Sequence, residues 1–135
     1  MPTPGPRDDL SEVVFLYVVA KDAAEAAAIS ERLVDRRLVA CSNAFPVRSV
    51  YRWNGRMRRA REVAIVMKTT QGQVRRAIRA IKDVHSYPCP AIVALPVFAG
   101  FAGYLDWVRG ETGKVEMPKP LPKQTSRGRP RKPAR

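Results

Sequence analysis

His85 and Cys89 stand four residues apart in a stretch broken by Pro88 and Pro90, and Cys41 lies well upstream. An imidazole and two thiols form a soft N/S donor set of the kind that holds Cu(I) or Zn(II). The three follow no recognised zinc spacing, so a plainer reading stands beside it. In that reading His85 hydrogen-bonds within a turn, Cys41 fills a strand and Cys89 is incidental. No Ser-His-Asp set or carboxylate cluster is legible, and nothing orients a base for a Cys89–His85 dyad, so an enzyme is not expected. Gly100-Phe101-Ala102-Gly103 is too short for a phosphate loop and lacks its Lys. Tyr51, Trp53, Tyr87, Tyr104 and Trp107 allow two readings: the lining of a ligand cleft between subunits, or large areas buried at a subunit interface. In a chain with so small a core the interface reading is preferred.

These residues need elements to position them. Val13 to Ala20 is a nearly continuous apolar run, as expected of a strand buried on both faces. Asp22 opens a helix, with Glu25 placed to close a capping box and Ala26, Ile29, Leu33 and Val34 as its apolar stripe. Leu38 to Phe45 reads as a second strand, and Pro46 marks an edge, bulge or bend because it cannot donate to a ladder. Ser49 to Trp53 alternates, with Ser49, Tyr51 and Trp53 on one face. Asn54-Gly55 signals a tight two-residue hairpin turn. The return strand is placed at Glu62 to Lys68. Thr70 with Gln73 suggests a second capping box before a helix carrying Val74, Ala77, Ile78 and Ile81 and ending near Val84. His85 to Pro90 reads as an irregular loop, Ala91 to Val97 as the last strand, and Tyr104 to Glu111 as a short closing helix. The order βαββαβ predicts an α+β, ferredoxin-like split βαβ fold: an antiparallel sheet with a long β-hairpin and two helices on one face. So long a hairpin edge calls for cover, often by another subunit.

The chain has 135 residues and a net charge of +13. Residues 113–135 hold eight Lys and Arg against Glu116 alone, so more than half of the excess sits in a Pro-rich basic tail. Three parts follow: a flexible N-terminus over 1–11, one domain over 12–112, and a disordered tail over 113–135. No apolar run reaches the roughly 18 residues of a membrane span, and no signal-peptide layout is seen. With only two cysteines, a cytoplasmic protein without a membrane partner is expected.

The Cys41/Asn43/Pro46 pattern, the Tyr51/Trp53/Gly55 ribbon, Glu62-Val63, Lys68-Thr69, Pro90, Ala94-Leu95-Pro96 and Tyr104 to Trp107 occur in one order across about 100 residues. Together they resemble the CutA divalent-cation tolerance family. The resemblance implies a PII-like ferredoxin-fold protomer, a homotrimer, and a role in the response to copper and other divalent metals, as a scaffold or small-ligand sensor without catalysis. The soft donor set described above makes His85, Cys89 and Cys41 the candidate metal residues, with copper or another divalent metal as the bound ion. Of the aromatics, Tyr51, Trp53, Tyr104 and Trp107 form the candidate interface. The chain departs from the family pattern in four places. The loop His85-Ser86-Tyr87-Pro88-Cys89-Pro90-Ala91 lacks both acidic positions, Tyr17 stands where some members place a Cys, Pro46 to Ser49 is one residue short, and the basic tail is additional.

Within that tail, Arg127-Gly128-Arg129-Pro130-Arg131 resembles an AT-hook. Gly permits close approach, Pro keeps the course extended, and Arg seeks the negative potential of a narrow A·T-rich minor groove. The alternative function is therefore a nucleic-acid-associated protein binding A·T-rich DNA, or another polyanion, through Arg127 to Arg131. Arg75, Arg76, Arg79 and Lys82 read as a solvated helix face. Arg56, Arg58, Arg59 and Arg61 read as an anion patch or a charged tip that discourages edge pairing.

Overall fold

A computed structural model describes residues 9–113. The expected N-terminal segment falls mostly outside the described residues, and the basic tail, Arg127 to Arg131 included, lies outside them apart from Gly113.

The elements run β1 (Val13–Ala20), α1 (Ala23–Asp35), β2 (Cys41–Trp53), β3 (Arg56–Thr70), a 3₁₀ turn (Gln71–Gln73), α2 (Val74–Val84), β4 (Ile92–Pro96) and α3 (Ala102–Glu111). The four strands form one antiparallel sheet in the order β2-β3-β1-β4. This is the expected ferredoxin-like α+β fold. Strand parity decides what each residue faces. Leu16, Val18 and Ala20 of β1, with Ile65 and Met67 of β3, face the helices and are fully buried against Ala26, Ile29 and Leu33 of α1 and Ala77, Ala80 and Ile81 of α2. The other parity, Phe15, Tyr17 and Val19, faces away from both helices. There α3 covers one end only, where Val108 closes a small second core with Val13 and Ala40.

Helix α1 begins as its sequence demands. Asp22 Oδ1 accepts the Glu25 N–H at 2.8 Å. The Glu25 carboxylate reaches one residue further back than a capping box requires, accepting the Lys21 N–H at 2.9 Å. The second expected box does not form, because Thr70 stays in β3 opposite Val13 and makes no side-chain cap. The amides after it are received by the segment leading into β1, with Gln71 N–H on Glu12 O at 2.8 Å and Gly72 N–H on Leu10 O at 2.9 Å. Helix α2 therefore starts at Val74 after the 3₁₀ turn.

The hairpin is longer than the sequence patterning indicated. β2 and β3 pair without a break from Cys41↔Lys68 to Trp53↔Arg56. Pro46 sits inside β2, which is tolerated because β2 is an edge strand and needs no donor on its outer side. The Arg-rich half of β3 lacks apolar alternation, yet it is held in place by cross-strand pairing. Only Val63 to Thr70 of β3 also pair with β1, so from Glu62 outward the hairpin is a two-stranded arm. Such a ribbon is marginally stable alone in water. Asn54 and Gly55 both have positive φ, 52° and 77°, as a type I′ turn requires.

A methyl group added at Gly55 would meet no atom within 4 Å. Gly55→Ala therefore tests the backbone alone. It is expected to cost about 1 kcal/mol, the left-handed penalty for an L-residue, read as a lowered urea midpoint at fixed protein concentration. An unchanged midpoint would mean that the arm contributes nothing to stability.

Candidate functional site

The connection from α2 to β4 is ordered by three side chains. The His85 side chain is fully buried, with Nε2 2.8 Å from Val19 O and Nδ1 3.0 Å from the Tyr87 amide nitrogen. A carbonyl can only accept and an amide can only donate, so the imidazole is neutral there and carries its proton on Nε2. Glu25 Oε2 accepts the Ser86 N–H at 2.7 Å and lies 3.8 Å from His85 Nδ1. Partial burial pushes the Glu25 carboxyl up. The Lys21 and Ser86 hydrogen bonds outweigh it and hold the group below the usual carboxylate range. The third side chain, Tyr87, lies with its ring centroid 5.0 Å from that of His85 and donates its hydroxyl to Glu62 Oε2 at 2.6 Å. Burial first, and then the Glu62 hydrogen bond, push the Tyr87 hydroxyl above its ordinary range.

Beyond this loop, the hairpin arm and residues 87–91 line a cleft of about 700 Å³, with Tyr51, Trp53, Pro88 and Cys89 among its walls. Arg58, the cross-strand partner of Tyr51, and Glu62 bring the charge. Glu62 is only 9% exposed, unusual for a carboxylate, and Tyr87 is its one hydrogen-bonding partner among the described residues.

A second cluster lies at the far end of β2, on the same open face. Lys68, 7% exposed, contacts Asn43 Oδ1, lies 3.5 Å from Cys41 Sγ, and sits over the Phe15 ring at 5.6 Å from its centroid. Cys41 Sγ is in turn 3.6 Å from the Tyr104 hydroxyl, and Tyr104 stacks on Trp107 at 5.8 Å. Burial, then the Cys41 contact, raise Tyr104 above the ordinary phenol range.

The candidate metal residues thus occupy three separate settings: Cys41 beside Lys68, Cys89 in the cleft wall, His85 within the loop. Among the described residues no three His, Cys, Asp or Glu side chains are grouped to hold a metal. As arranged in one protomer the donor set does not fit a shared ion. To bind through either nitrogen His85 must release the Val19 carbonyl or the Tyr87 amide, at about 1–3 kcal/mol for a buried group left unpaired. The four candidate interface aromatics are all partly exposed, in two pairs: Tyr51 and Trp53 on the arm, Tyr104 and Trp107 on α3. Sequence reasoning placed Glu62 and Lys68 within motifs but gave neither a role. The only signal available was a charged residue inside an otherwise strand-forming run.

An antiparallel split βαβ sheet, helices on one side, a long hairpin arm and a closing C-terminal helix define a small ferredoxin-like protein. The profile of the CutA1 divalent ion tolerance protein family matches residues 14–111. The divalent-cation tolerance protein CutA of Thermus thermophilus is 38% identical over 105 residues, covering 77% of this chain and all of that one. Its counterpart in Archaeoglobus fulgidus is 36% identical over 94 residues, covering 70% and 92%. The solved structures agree: the Thermus protein superposes with a TM-score of 0.73 over 75% of this chain and 99% of its own. The Archaeoglobus structure, described as a periplasmic divalent cation tolerance protein, gives 0.72 over 73% and 97%. The chain belongs to the CutA1 divalent ion tolerance family.

Replacing Glu25 with Gln keeps its shape but removes the charge that receives the Lys21 and Ser86 amides. Stability at pH 7 is expected to fall by about 1–2 kcal/mol. Because the folded-state pKa is lowered, the native protein holds this contribution above the ordinary carboxylate pKa and loses it as pH drops through the lowered value. Urea midpoints measured from pH 7 down to pH 3 should therefore converge between native protein and Glu25→Gln. A constant gap would place the carboxylate's contribution elsewhere.

Proposed function

We propose that this protein serves divalent-cation tolerance as a non-catalytic homotrimer, acting as a scaffold or sensor. The observation that carries the reading is the open sheet face. Phe45, Val93 and Leu95 on the strands, and Tyr104 and Trp107 on α3, are each between a third and a half exposed, and Phe98 is fully so. Contiguous apolar surface of this kind marks an interaction site. The Thermus and Archaeoglobus relatives are matched over nearly their whole length, so the described domain accounts for most of each of them. Stable contacts of this sort bury about 800 Å² on each partner.

Cations, copper among them, are proposed to meet the exposed Cys89 thiol first. Cys41 and His85 join only where assembly or an incoming ion frees them from their present partners. Two free cysteines suit a reducing compartment and support the cytoplasm, although one relative carries a periplasmic description. Among the described residues no helix is long and apolar enough to cross a membrane.

Light scattering of the purified chain should return about three times the 15.1 kDa protomer mass, and Leu95→Glu should return the protomer alone. A native protomer mass would sink the trimer. For the metal reading, the reduced trimer is titrated with Cu(I) against a chelator. Retained copper should drop most in Cys89→Ser and further in the Cys89→Ser, Cys41→Ser double variant. Equal retention by all three proteins would remove both thiols from the function.

A further inference from the structure

Taken alone, the arginines of α2 form a solvated helix face, but the fold sets two of them against the end of α1. Arg76 and Arg79 of α2, with Arg36 and Arg37 after α1, line one groove of about 290 Å³, floored by the buried Leu38 and Ala80. Both floor residues belong to the core between sheet and helices, so the groove lies on the side of the sheet opposite the open face. Asp83 is its one carboxylate, while Glu31 and Asp35 of α1 line a different depression beside Ser42. Among the described residues, the side chains of Arg36, Arg76 and Arg79 enter no ion pair. Arg37 has a structural task, since its guanidinium reaches Gly110 O at 3.4 Å and Glu111 Oε1 at 3.8 Å. Like charges gathered this way repel one another, and an anion in the groove relieves them. The basic tail leaves the body at the same place. The Gly113 N–H donates to Arg37 O at 2.9 Å, and a Cβ on Gly113 would stand 3.1 Å from Nε2 of Gln73, another groove residue. Residues 114–135 then hold eight Lys and Arg against Glu116 alone. Their like charge excludes the tail itself as the occupant.

We propose that this groove binds the phosphate backbone of a nucleic-acid duplex, whatever its base sequence, with Arg36, Arg76 and Arg79 as the phosphate contacts. A guanidinium fork matches two phosphate oxygens at once, which suits the all-arginine lining. These side chains are exposed, so each contact is weak alone. Binding has to come from many contacts together, through the release of counterions, and that favours a long polyanion over a single phosphate. The tail adds to the preference, because a duplex in the groove stands beside the point where eight further cations follow in the chain. No aromatic side chain lines the groove, so it offers no platform on which a single strand could stack. Gln73 is its only amide, and contacts of this kind hold a duplex without reading its bases. The site uses neither the thiols nor the open sheet face, so it and the proposed function fail separately.

The test uses the full-length protein in EDTA and a labelled mixed-sequence DNA duplex of about 20 base pairs, read by fluorescence anisotropy between about 50 and 200 mM salt. Two triple variants lose the same charge in different places. One carries Arg36→Gln, Arg76→Gln and Arg79→Gln in the groove; the other carries Arg48→Gln, Arg59→Gln and Arg61→Gln on the arm. The groove variant should bind at least tenfold more weakly, and its plot of log Kd against log salt should be shallower by roughly two to three. The arm variant should lose less than threefold. All six side chains are exposed, and an unchanged urea midpoint establishes that each variant is folded. If the groove variant does not fold, Arg76→Gln and Arg79→Gln taken singly decide, each expected to lower the salt slope by about one. Inorganic tripolyphosphate at matched phosphate concentration should leave most of the duplex bound, and phosphatidylserine vesicles should bind both triple variants alike. Equal losses in the two variants would reduce the effect to bulk charge and overturn the proposal. So would no duplex binding at the lowest salt, full displacement by tripolyphosphate, or a groove that vesicles need and the duplex does not.

Discussion

A four-stranded sheet with its two long helices on one side must turn half of its strand residues away from the core. That constraint shapes the rest of the molecule. On the helix side, alternate residues of β1 and β3 are fully buried against α1 and α2. On the other side, α3 is only ten residues long and roofs one end through Val108. The uncovered remainder carries Phe45, Val93 and Leu95. Lys68 stands at the boundary between the roofed and bare parts. Its ammonium is satisfied by an amide oxygen, a sulfur and a ring face rather than a carboxylate. An uncovered apolar face and a carboxylate-free lysine beside it both leave room for groups that one protomer does not supply.

The arm follows from the same geometry. β1 and β4 end where Ala20 and Ile92 reach the helix side of the sheet, but β2 and β3 continue to Trp53 and Arg56. Beyond Glu62 their only support is each other and whatever lies against their faces. The α2–β4 loop provides part of that support, since Tyr87 reaches Glu62 and Pro88 and Cys89 stand opposite Tyr51 and Trp53. A loop with so few apolar contacts needs another anchor. It gets one from Glu25 at the start of α1 and from His85 bonded to β1. The first turn of α1, the end of β1 and the rigid wall of the cleft are therefore one hydrogen-bonded unit.

Much of this was legible in the sequence, and what was not has particular causes. Asp22 and Glu25 announced the start of α1 because capping is local. Asn54-Gly55 announced the turn because few other pairs accept positive φ twice. The outer half of β3 was missed because Arg56 to Arg61 carry no apolar alternation, and their strand form comes from pairing with β2. The Thr70–Gln73 box was misread because Thr70 is held in β3 opposite Val13, and the next two amides, Gln71 and Gly72, are taken by Glu12 and Leu10, partners some 60 residues away. The expected site residues were chosen by donor type. Donor type cannot show that His85 is already satisfied at both nitrogens, or that Glu62 is not satisfied at one oxygen.

That contrast decides where chemistry has room to act. A histidine whose two nitrogens are matched to a carbonyl and an amide adds to the fold and offers nothing to a ligand until those bonds break. A buried carboxylate with one oxygen unmatched does the reverse. It subtracts about 1–3 kcal/mol from a total stability of only about 5–15, and it offers an acceptor to anything that enters. Stability alone would favour Gln or an aliphatic residue at that place in β3, beside the otherwise apolar walls of the cleft. Keeping Glu62 there, oriented by Tyr87, makes sense if the missing partner arrives from outside the protomer. The open sheet face makes the same demand in apolar terms. The protomer is incomplete in two ways: its apolar face is bare, and Glu62 has one oxygen with no donor among the described residues.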